Sequence, residues 1–362
     1  MYYVTYLSKP RTRFGISEEE MKREYERNYD KRVTKVTDTT RDFDDYNKVT
    51  SALYNIFTSV TNAYNLPPWH INPDMTDFSD RYETFHIPKA SGGVREITAP
   101  LPDLRNAQRQ ALNVINKLCK FLPHNAAHGF TKKRNPKTAL QVHQANKSKW
   151  FLKADIKDFF PSCTAEALKK ALRETYPFYN LGNDIRTMLV NLATKDEVLP
   201  QGSPLSPLLA NMIMIPFDIA LTEYCKENKL IYTRYADDIM ISSREHFNSG
   251  SVLIMVDTLL EQHGFQLNQD KSRYGSSAGR NWNLGLMYNE EGDITVGHQK
   301  KKLVKNMVHN FTTKPEEQTQ ENKYKLLGIV GYCAYIEPNY FRPYLSRIQQ
   351  VEIYAHYRTT DH

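Results

Sequence analysis

The chain has 362 residues, with 48 Lys and Arg against 41 Asp and Glu, which gives a formal net charge of +7. With 40% hydrophobic and 25% charged residues it can bury a large core, which excludes a mainly disordered chain. Its four cysteines are scattered without Cys-X-X-Cys spacing, so the sequence suggests neither a disulfide framework nor a zinc site. The positive charge favours a polyanionic partner, although alone it is a weak signal.

No segment of the sequence is typical of secretion or membrane insertion. The N-terminal residues lack the long apolar core of a signal peptide. The most apolar stretch, residues 204–221, is interrupted by prolines and polar side chains, which argues against a membrane span. We therefore predict a cytoplasmic protein, in a reducing compartment, without a membrane partner.

Residues 1–75 are predicted to form a helical extension without a catalytic signature. Residues 17–20 (Ser-Glu-Glu-Glu) form a capping box ahead of a charged helical run that reaches about residue 32. Apolar side chains recur at helical spacing between residues 44 and 64, and two prolines then end the pattern. The extension offers a surface for a partner or for RNA, or simply buttresses the part that follows.

From about residue 84 the pattern changes to short strands. Two apolar segments flank Ser91-Gly92-Gly93, which is typical of a hairpin turn. In chain order we predict strands over 85–89 and 94–97, a helix over 104–122, strands over 149–154, 230–235 and 239–242, and a basic helical region from 299.

Three aspartates are the main candidates for chemistry. Asp237 and Asp238 lie at the tip of a predicted hairpin, and adjacent carboxylates repel each other unless a cation lies between them. Asp155 follows a predicted strand, and a third carboxylate there suits two magnesium ions that activate a primer hydroxyl and stabilise a leaving pyrophosphate. The alternatives are an ordinary polar turn and a capped strand end, with Asp158 as the cap.

A loop rich in proline and serine, residues 199–207, is a further candidate. Gly202 permits close approach of the backbone to a ligand, and a helix after Ser206 would present amide donors. The start of a helix without any ligand explains the same residues.

Five segments occur in the order of the motif series of reverse transcriptases and resemble it: KADIKDFF, LPQGSPLSP, RYADD, LNQDKS and LGL. Upstream, IPKASGGVREITAP and HGFTKKRN resemble the finger motifs of bacterial members, and LLGIVGYCAYIEPNYF resembles their thumb. The resemblance covers about residues 80–345. It is to short prokaryotic enzymes of retron, abortive-infection and other defence-associated types, with group II intron enzymes as relatives.

Departures from two sub-family patterns favour a defence-associated enzyme outside the typical retrons. Residues 139–143 (Ala-Leu-Gln-Val-His) keep only the final His of the retron NAxxH pattern. Residues 283–286 (Asn-Leu-Gly-Leu) keep the Gly-Leu but not the Val-Thr of the retron VTG motif. The loop at 201–207 ends in Ser-Pro, unlike the Ser-Gln of diversity-generating enzymes.

The resemblance implies an α+β fold in the form of a right-hand polymerase, with fingers, an antiparallel-sheet palm and a helical thumb. The expected boundaries are a helical N-terminal extension at 1–75, fingers at 76–150 with 163–200 also contributing, a palm at 151–296 and a thumb at 297–362.

The resemblance also assigns roles to the acidic residues. Asp155, Asp237 and Asp238 match the catalytic carboxylates, and the Ile156 carbonyl is an expected extra metal ligand. The implied cofactor is Mg²⁺, as two ions, with Mn²⁺ as a substitute. Lys271 matches the lysine proposed to protonate the leaving pyrophosphate, although a lone lysine near a loop is usually inert.

Five residues match nucleotide-binding positions of the family. Lys89 and Arg95 match finger residues that grip the incoming triphosphate, although such a surface pair is usually just solvated. Gln201, with Gly202, should contact the nucleotide sugar and the template, unless it is an ordinary loop amide. Phe160 matches the aromatic gate beneath the incoming sugar, which excludes a 2′-hydroxyl by a clash; the alternative is a core phenylalanine.

Two basic clusters are expected to bind nucleic acid, because a polymerase must follow a backbone without reading its sequence. A run of charges is otherwise a solvated surface. The clusters are Lys132, Lys133 and Arg134, and Lys300, Lys301, Lys302 and Lys305.

The implied function is RNA-directed DNA synthesis from dNTPs by two-metal nucleotidyl transfer, in antiviral (anti-phage) defence. The implied partners are an RNA template, expected to be a structured non-coding RNA, the DNA product and dNTPs; a partner protein or a homo-oligomer is left open. One rival is a template-independent or protein-primed nucleotidyl transferase on the same scaffold. The other is a non-catalytic RNA-binding or maturase-like scaffold, which the complete aspartate triad disfavours.

Overall fold

A computed structural model of the chain describes residues 39–66, 69–70, 73, 76–88, 92–119, 123–277, 282 and 285–351. The described part mixes helices with antiparallel strands, so the α+β class predicted from the sequence is confirmed. The helix predicted after residues 17–20 lies outside the described residues.

The helices are α1 Thr39–Ala63, α2 Pro102–Val114, α3 Pro136–Ala145, α4 Phe159–Ser162, α5 Ala165–Glu174, α6 Asn183–Ala193, α7 Ser206–Ile213, α8 Ile215–Glu227, α9 Ser249–Gln262, α10 Gly297–Thr313, α11 Gln320–Ile336 and α12 Pro338–Gln350. The strands are β1 Tyr82–Pro88, β2 Val94–Pro100, β3 Trp150–Lys157, β4 Ile231–Tyr235, β5 Asp238–Ser243, β6 Gln266–Leu267, β7 Arg273–Ser276, β8 Met287–Tyr288 and β9 Ile294–Thr295. Short 3₁₀ turns lie at Phe178–Asn180, Gln269–Lys271 and Pro315–Glu317, and a π-helical segment lies at Ile115–Cys119.

The chain forms two compact units. The first consists of the described residues up to 135 together with 152–241 and 248–273, and the second of 136–151, 242–247 and the described residues from 274 onwards. The predicted hairpin lies in the first unit, where β1 and β2 pair antiparallel along their whole length.

The main sheet has five strands in the order β4-β5-β3-β6, with β7 paired to β3. In β3 the residues from Phe151 to Ile156 are buried except for a half-buried Lys153, so side chains on both faces of the strand are covered. In β5 every residue after the first is buried, and Ile239, Met240 and Ile241 form an apolar run as expected for a strand covered on both faces. Since β3 and β5 are neighbours, a carboxylate near the end of one lies close to a carboxylate at the start of the other.

The core of the first unit is built from helices that present apolar stripes. In α1 the side chains of Leu53, Phe57 and Val60 are buried at the predicted helical spacing, and α1 packs on α2. Helices α7 and α8 are apolar around most of their circumference, which is typical of helices buried on several sides.

The second unit contains α10, α11 and α12, which pack on one another. In α10 the buried residues Val304, Val308 and Phe311 follow one face of the helix, and the lysines occupy the others. This arrangement is the amphipathic pattern of a helix that covers a core on one side and meets solvent on the other.

A membrane span requires a helix of sufficient length and apolar composition. Among the described residues, no single helix is long and apolar enough to cross a bilayer; α7 and α8, which meet at a bend of 50°, together have the length and composition.

Candidate active site

The two adjacent aspartates lie at the turn between β4 and β5. Asp237 is in the turn, Asp238 is the first residue of β5, and Ala236 has a left-handed backbone with φ of 57°. The Ile156 amide of β3 donates a hydrogen bond of 2.9 Å to the Asp237 carbonyl. This bond joins the end of β3, which carries Asp155, to the turn.

Asp155 is buried and is held by two donors from the segment after β6. The Lys271 ammonium and the Asn268 side-chain amide both donate to its Oδ1, at 3.0 and 3.1 Å. The backbone of Asn268 also donates to the Asp155 carbonyl, at 2.8 Å. The hydrogen bond from Lys271 to Asp155 raises the pKa of this lysine, so its ammonium form is favoured.

The other two aspartates differ in how their charge is balanced. Asp238 pairs with Lys153 of β3, the Nζ lying 2.8 Å from Oδ1, and both side chains are 19% exposed. Burial raises the pKa of Asp237, and the nearby charges of Asp238 and Asp155 raise it further. The sequence does not predict Lys153 as a site residue; the available signal is its position two residues before Asp155, which places both on one face of β3.

A buried arginine stabilises the β4–β5 turn through hydrogen bonds. The guanidinium of Arg234, which is fully buried, donates to both carboxylate oxygens of Asp218, at 2.8 and 2.6 Å. It also donates to the carbonyl of Ala236, at 3.0 Å, and to the side chain of Asn211, at 3.2 Å. The hydroxyl of Tyr232 donates to Asp218 as well. Held by these side chains, Arg234 thereby fixes the backbone of Ala236, the residue that precedes Asp237.

The same turn is approached closely by a glycine. A Cβ on Gly129 would lie 2.5 Å from the amide nitrogen of Ala236, so only glycine leaves room there. The Gly129 carbonyl accepts a hydrogen bond of 2.9 Å from Asn211, and the His128 amide donates to the Arg234 carbonyl at 2.7 Å. Residues 128–129 and the β4–β5 turn therefore form one rigid assembly.

A cleft of about 540 Å³ in the first unit opens onto this assembly. It collects predicted residues from the hairpin, from β3, from the loop before α7 and from the segment after β6. The lining includes Arg95, Thr98, Phe130, Asp155, Phe160, Lys195, Gln201, Asp237 and Lys271.

The loop before α7 is fastened to the hairpin. The Thr98 amide donates to the Gln201 carbonyl at 2.9 Å. Gly202 has φ of 142°, and a Cβ on it would lie 2.6 Å from the Thr98 carbonyl. The close approach that Gly202 permits in the structure is thus to strand β2, while Gln201 faces the cleft.

Several predicted residues are engaged elsewhere or lie outside the described residues. Lys89 is not among the described residues. Arg134 donates from Nη1 to the carbonyls of His124, Asn125 and Ala127, at 2.9 to 3.0 Å, so its guanidinium binds its own loop.

Of the other residues in the two basic clusters, one is paired within the protein and the rest are exposed. Lys301 pairs with Glu337 at 2.5 Å and lies over the ring of Tyr340. The others are exposed: Lys132, Lys133, Lys300, Lys302 and Lys305.

An α+β fold in which neighbouring strands of an antiparallel sheet present carboxylates at the edge of a cleft is that of a right-hand polymerase palm. The family model described as "Reverse transcriptase (RNA-dependent DNA polymerase)" matches residues 87–330. The chain therefore belongs to the reverse transcriptase family.

Its curated relatives include bacterial retron enzymes. It is 30% identical over 313 residues to the retron Mx162 reverse transcriptase of Myxococcus xanthus, covering 78% of this chain and 64% of that one. It is 29% identical over 269 residues to the retron Ec83 reverse transcriptase of Escherichia coli, covering 71% and 83%. A more remote likeness in structure, with a TM-score of 0.46 and 13% identity, is to apo telomerase from Candida tropicalis, covering 74% of this chain and 56% of that one.

Proposed function

We propose that this chain synthesises DNA from dNTPs on an RNA template. The proposal is supported by its membership of the reverse transcriptase family. The observation that carries it is a single cleft lined by side chains suited to metal binding, nucleotide binding and proton transfer. They are Asp155, Asp237, Arg95, Phe160, Gln201 and Lys271.

Two divalent cations, Mg²⁺ or in substitution Mn²⁺, fit the donor set. Carboxylate oxygens are the ligands that Mg²⁺ prefers. Burial, and after it the charges of Asp238 and Asp155, raise the pKa of Asp237, and a cation would neutralise these like charges. Among the described residues no three acidic, His or Cys side chains form a preassembled metal cluster, and lysines pair with two of the aspartates. Asp155, Asp237 and Asp238, with the Ile156 carbonyl, would hold the ions. When bound, these ions would activate the primer hydroxyl and stabilise the leaving oxygen.

The other cleft residues have roles that follow from their chemistry. Arg95, exposed on β2, offers a guanidinium fork for the triphosphate, a role shared with Lys89. Gln201 presents a carboxamide to the sugar and template, and the ring of Phe160 excludes a 2′-hydroxyl. Lys271 holds a proton near Asp155, where it would pass to the departing pyrophosphate.

The RNA is proposed to be a structured non-coding RNA and the biological role antiviral defence. Both proposals rest on the motif resemblance to retron and other defence-associated types, and the similarity to proteins named as retron reverse transcriptases supports that grouping. Sequencing the nucleic acid that co-purifies with the protein would identify template and primer together. Phage plating on cells with and without the intact locus would test the defence role, and equal plating efficiencies would reject it.

Primer extension tests the proposed chemistry. Purified protein receives Mg²⁺, a primed RNA of defined sequence and each dNTP separately, with Asp237→Asn as the matched inactive control. We expect incorporation only of the dNTP complementary to the next template base. Incorporation of every dNTP regardless of template would favour the template-independent transferase. RNA binding without any incorporation would favour the non-catalytic scaffold.

A further inference from the structure

Phe130 is an outlier in the backbone of the described chain. Its φ is 57°, in the left-handed region that a bulky side chain rarely adopts, and its ring is 46% exposed. Nine described residues other than glycine have positive φ, and four of these line the one cleft that holds the aspartates. They are Phe130, Asp158, Asp196 and Ala236. Strained backbone of this kind persists where the surroundings over-determine it, and it concentrates at functional sites.

The surroundings of Phe130 do over-determine it. The preceding carbonyl, of Gly129, accepts hydrogen bonds from Asn211 at 2.9 Å and from the Thr131 hydroxyl at 3.2 Å. The same hydroxyl donates to the Ala127 carbonyl at 3.0 Å. Because Gly129 also packs on the β4–β5 turn, the loop cannot relax without disturbing that turn. This strained backbone therefore places the Phe130 side chain in the lining of the cleft.

The ring of Phe130 meets the ring of Phe160. The two centroids lie 6.1 Å apart with the planes tilted by 47°, a favourable distance for an aromatic pair. Phe160 also contacts the buried ring of Phe159, with centroids 5.4 Å apart. Phe160 thus contacts both a core ring and the half-exposed ring of a strained residue.

We propose that Phe130 is a positioning residue for sugar selection, which acts by holding the Phe160 ring against the incoming nucleotide. A ring excludes a 2′-hydroxyl only if it cannot move aside, since the discrimination is a steric clash and not a hydrogen bond. Phe159 contacts Phe160 from the core, and Phe130, which lines the cleft, is its second aromatic neighbour. This inference rests on the proposed polymerase function and on Phe160 as the gate.

The test compares kcat/KM for dGTP and GTP on one primed RNA. The variants are Phe130→Ala, Phe160→Ala and the double variant, each with a melting curve. We expect Phe160→Ala to lower the dGTP preference by ~10–100-fold and Phe130→Ala by ~3–10-fold. The double variant should match Phe160→Ala alone, because Phe130 acts only through that ring. Phe130→Tyr, which keeps the ring, should retain the wild-type ratio.

A glycine variant separates positioning from folding. Phe130→Gly removes the ring and also relieves the positive φ, so it should melt no lower than Phe130→Ala while losing the same discrimination. Phe85→Ala, which removes a ring that is 44% exposed outside the cleft lining, is the matched control and should keep the wild-type ratio.

The outcomes are distinct. Wild-type protein without template-directed synthesis would reject the proposed function itself. DNA synthesis in which Phe160→Ala leaves the ratio unchanged would reject the gate and, with it, this inference. A relaxed ratio in Phe160→Ala alone, with wild-type ratios in the Phe130 variants, would overturn the role of Phe130. Weakened template binding at an unchanged ratio in those variants would overturn it too, since the ring would then serve the template.

Discussion

Among the site carboxylates, Asp237 carries the least compensated charge. Asp155 has Lys271 and Asn268 as donors, and Asp238 has Lys153. Burial and two neighbouring carboxylates raise the pKa of Asp237, which means that its ionised form costs free energy in the folded chain. A charged residue that costs stability and lines a cleft is a candidate for a role in catalysis or ligand binding, since perturbed pKa values concentrate at functional sites.

The first prediction follows from this balance. If Asp237 holds a catalytic cation as proposed, Asp237→Asn should lower DNA synthesis by about 10³-fold or more, because it removes the charge that binds the ion. The same variant should melt a few degrees higher than wild type in EDTA, because the like-charge repulsion is gone. RNA affinity should stay close to wild type. Primer extension, calorimetry in EDTA and filter binding check the three parts; a lower melting temperature would contradict the electrostatic account.

The second prediction concerns His128, which precedes the glycine at the turn. Burial and the nearby charge of Arg134 lower the pKa of His128 to about 4, whereas an unfolded histidine has a pKa near 6.5. Its neutral form is favoured in the folded chain, so its contribution to stability is complete above pH 6.5 and is lost as the pH falls towards 4. Between pH 7 and pH 5 the loss should be about 2 kcal/mol.

Urea unfolding at pH 7 and pH 5 measures this loss, with His128→Gln as the comparison. The Gln variant has no titrating group at this position and should lose about 2 kcal/mol less than wild type over the same interval. Parallel pH profiles for the two proteins would show that His128 titrates normally in the folded state.

The sequence revealed acidic residues more readily than their partners. Adjacent aspartates at a hairpin tip, with a third after a strand, can be recognised locally because strand ends and turns are local features. Lys153 could not be recognised as the partner of Asp238, because that contact depends on how β3 lies beside β5. Charge alone predicts that Arg134 binds nucleic acid, whereas its guanidinium contacts three carbonyls of its own loop.

At the scale of elements, the hairpin of β4 and β5 depends on a single buried cation. Arg234 satisfies both oxygens of Asp218 and the Ala236 carbonyl, and removal of one partner from a buried ion pair usually costs about 3–5 kcal/mol. The network therefore contributes to folding and also fixes the backbone one residue before Asp237.

The third prediction separates these two contributions. Gly129→Ala leaves the ion pair of Arg234 and Asp218 in place but puts a methyl group against the Ala236 amide, which must shift. We expect kcat to fall by about 10²-fold with little change in KM for dNTP, because a small displacement of reacting groups is costly. Arg234→Lys should lower kcat and, in addition, lower the melting temperature markedly, since lysine lacks the planar fork of the guanidinium. A Gly129→Ala enzyme with wild-type kcat would show that the turn tolerates displacement.

Element boundaries show what local patterns can predict. The strands predicted at 230–235 and 239–242 correspond to β4 and β5 within a residue, because apolar β-rich segments flank a polar turn. The helix predicted over 104–122 ends as an α-helix at Val114 and continues as a π-helical segment to Cys119. Helical periodicity does not distinguish these two forms, since both keep apolar residues on one side over so short a length.

At the scale of the whole molecule, the net charge of +7 is spread unevenly. Helix α10 contains five basic or histidine residues on its exposed surface and no acidic residue: His298, Lys300, Lys302, Lys305 and His309. Lys301 of the same run is used internally, because Glu337 pairs with it and also accepts hydrogen bonds from the Thr295 hydroxyl and the Val296 amide at the start of α10. The sequence predicted one cluster of four equivalent lysines, and the structure divides it into three exposed lysines and one with a structural partner.

The fourth prediction uses this division as its own control. Replacing Lys300, Lys302 and Lys305 by Gln should weaken RNA binding and flatten its dependence on salt, because each phosphate that a lysine no longer neutralises takes about 0.7–0.9 from the slope of log K against log salt. If all three lysines bind phosphates, the slope should fall by about 2–3. Lys301→Gln removes the same charge from the same helix but breaks the ion pair with Glu337, so it should lower the melting temperature and leave the slope nearly unchanged. Binding measured by fluorescence anisotropy from low to high salt, with melting curves for each protein, distinguishes the two effects. An equal change in slope for single replacements of Lys301 and Lys302 would mean that the net charge alone attracts the RNA, and that the exposed face of α10 has no particular part in binding it.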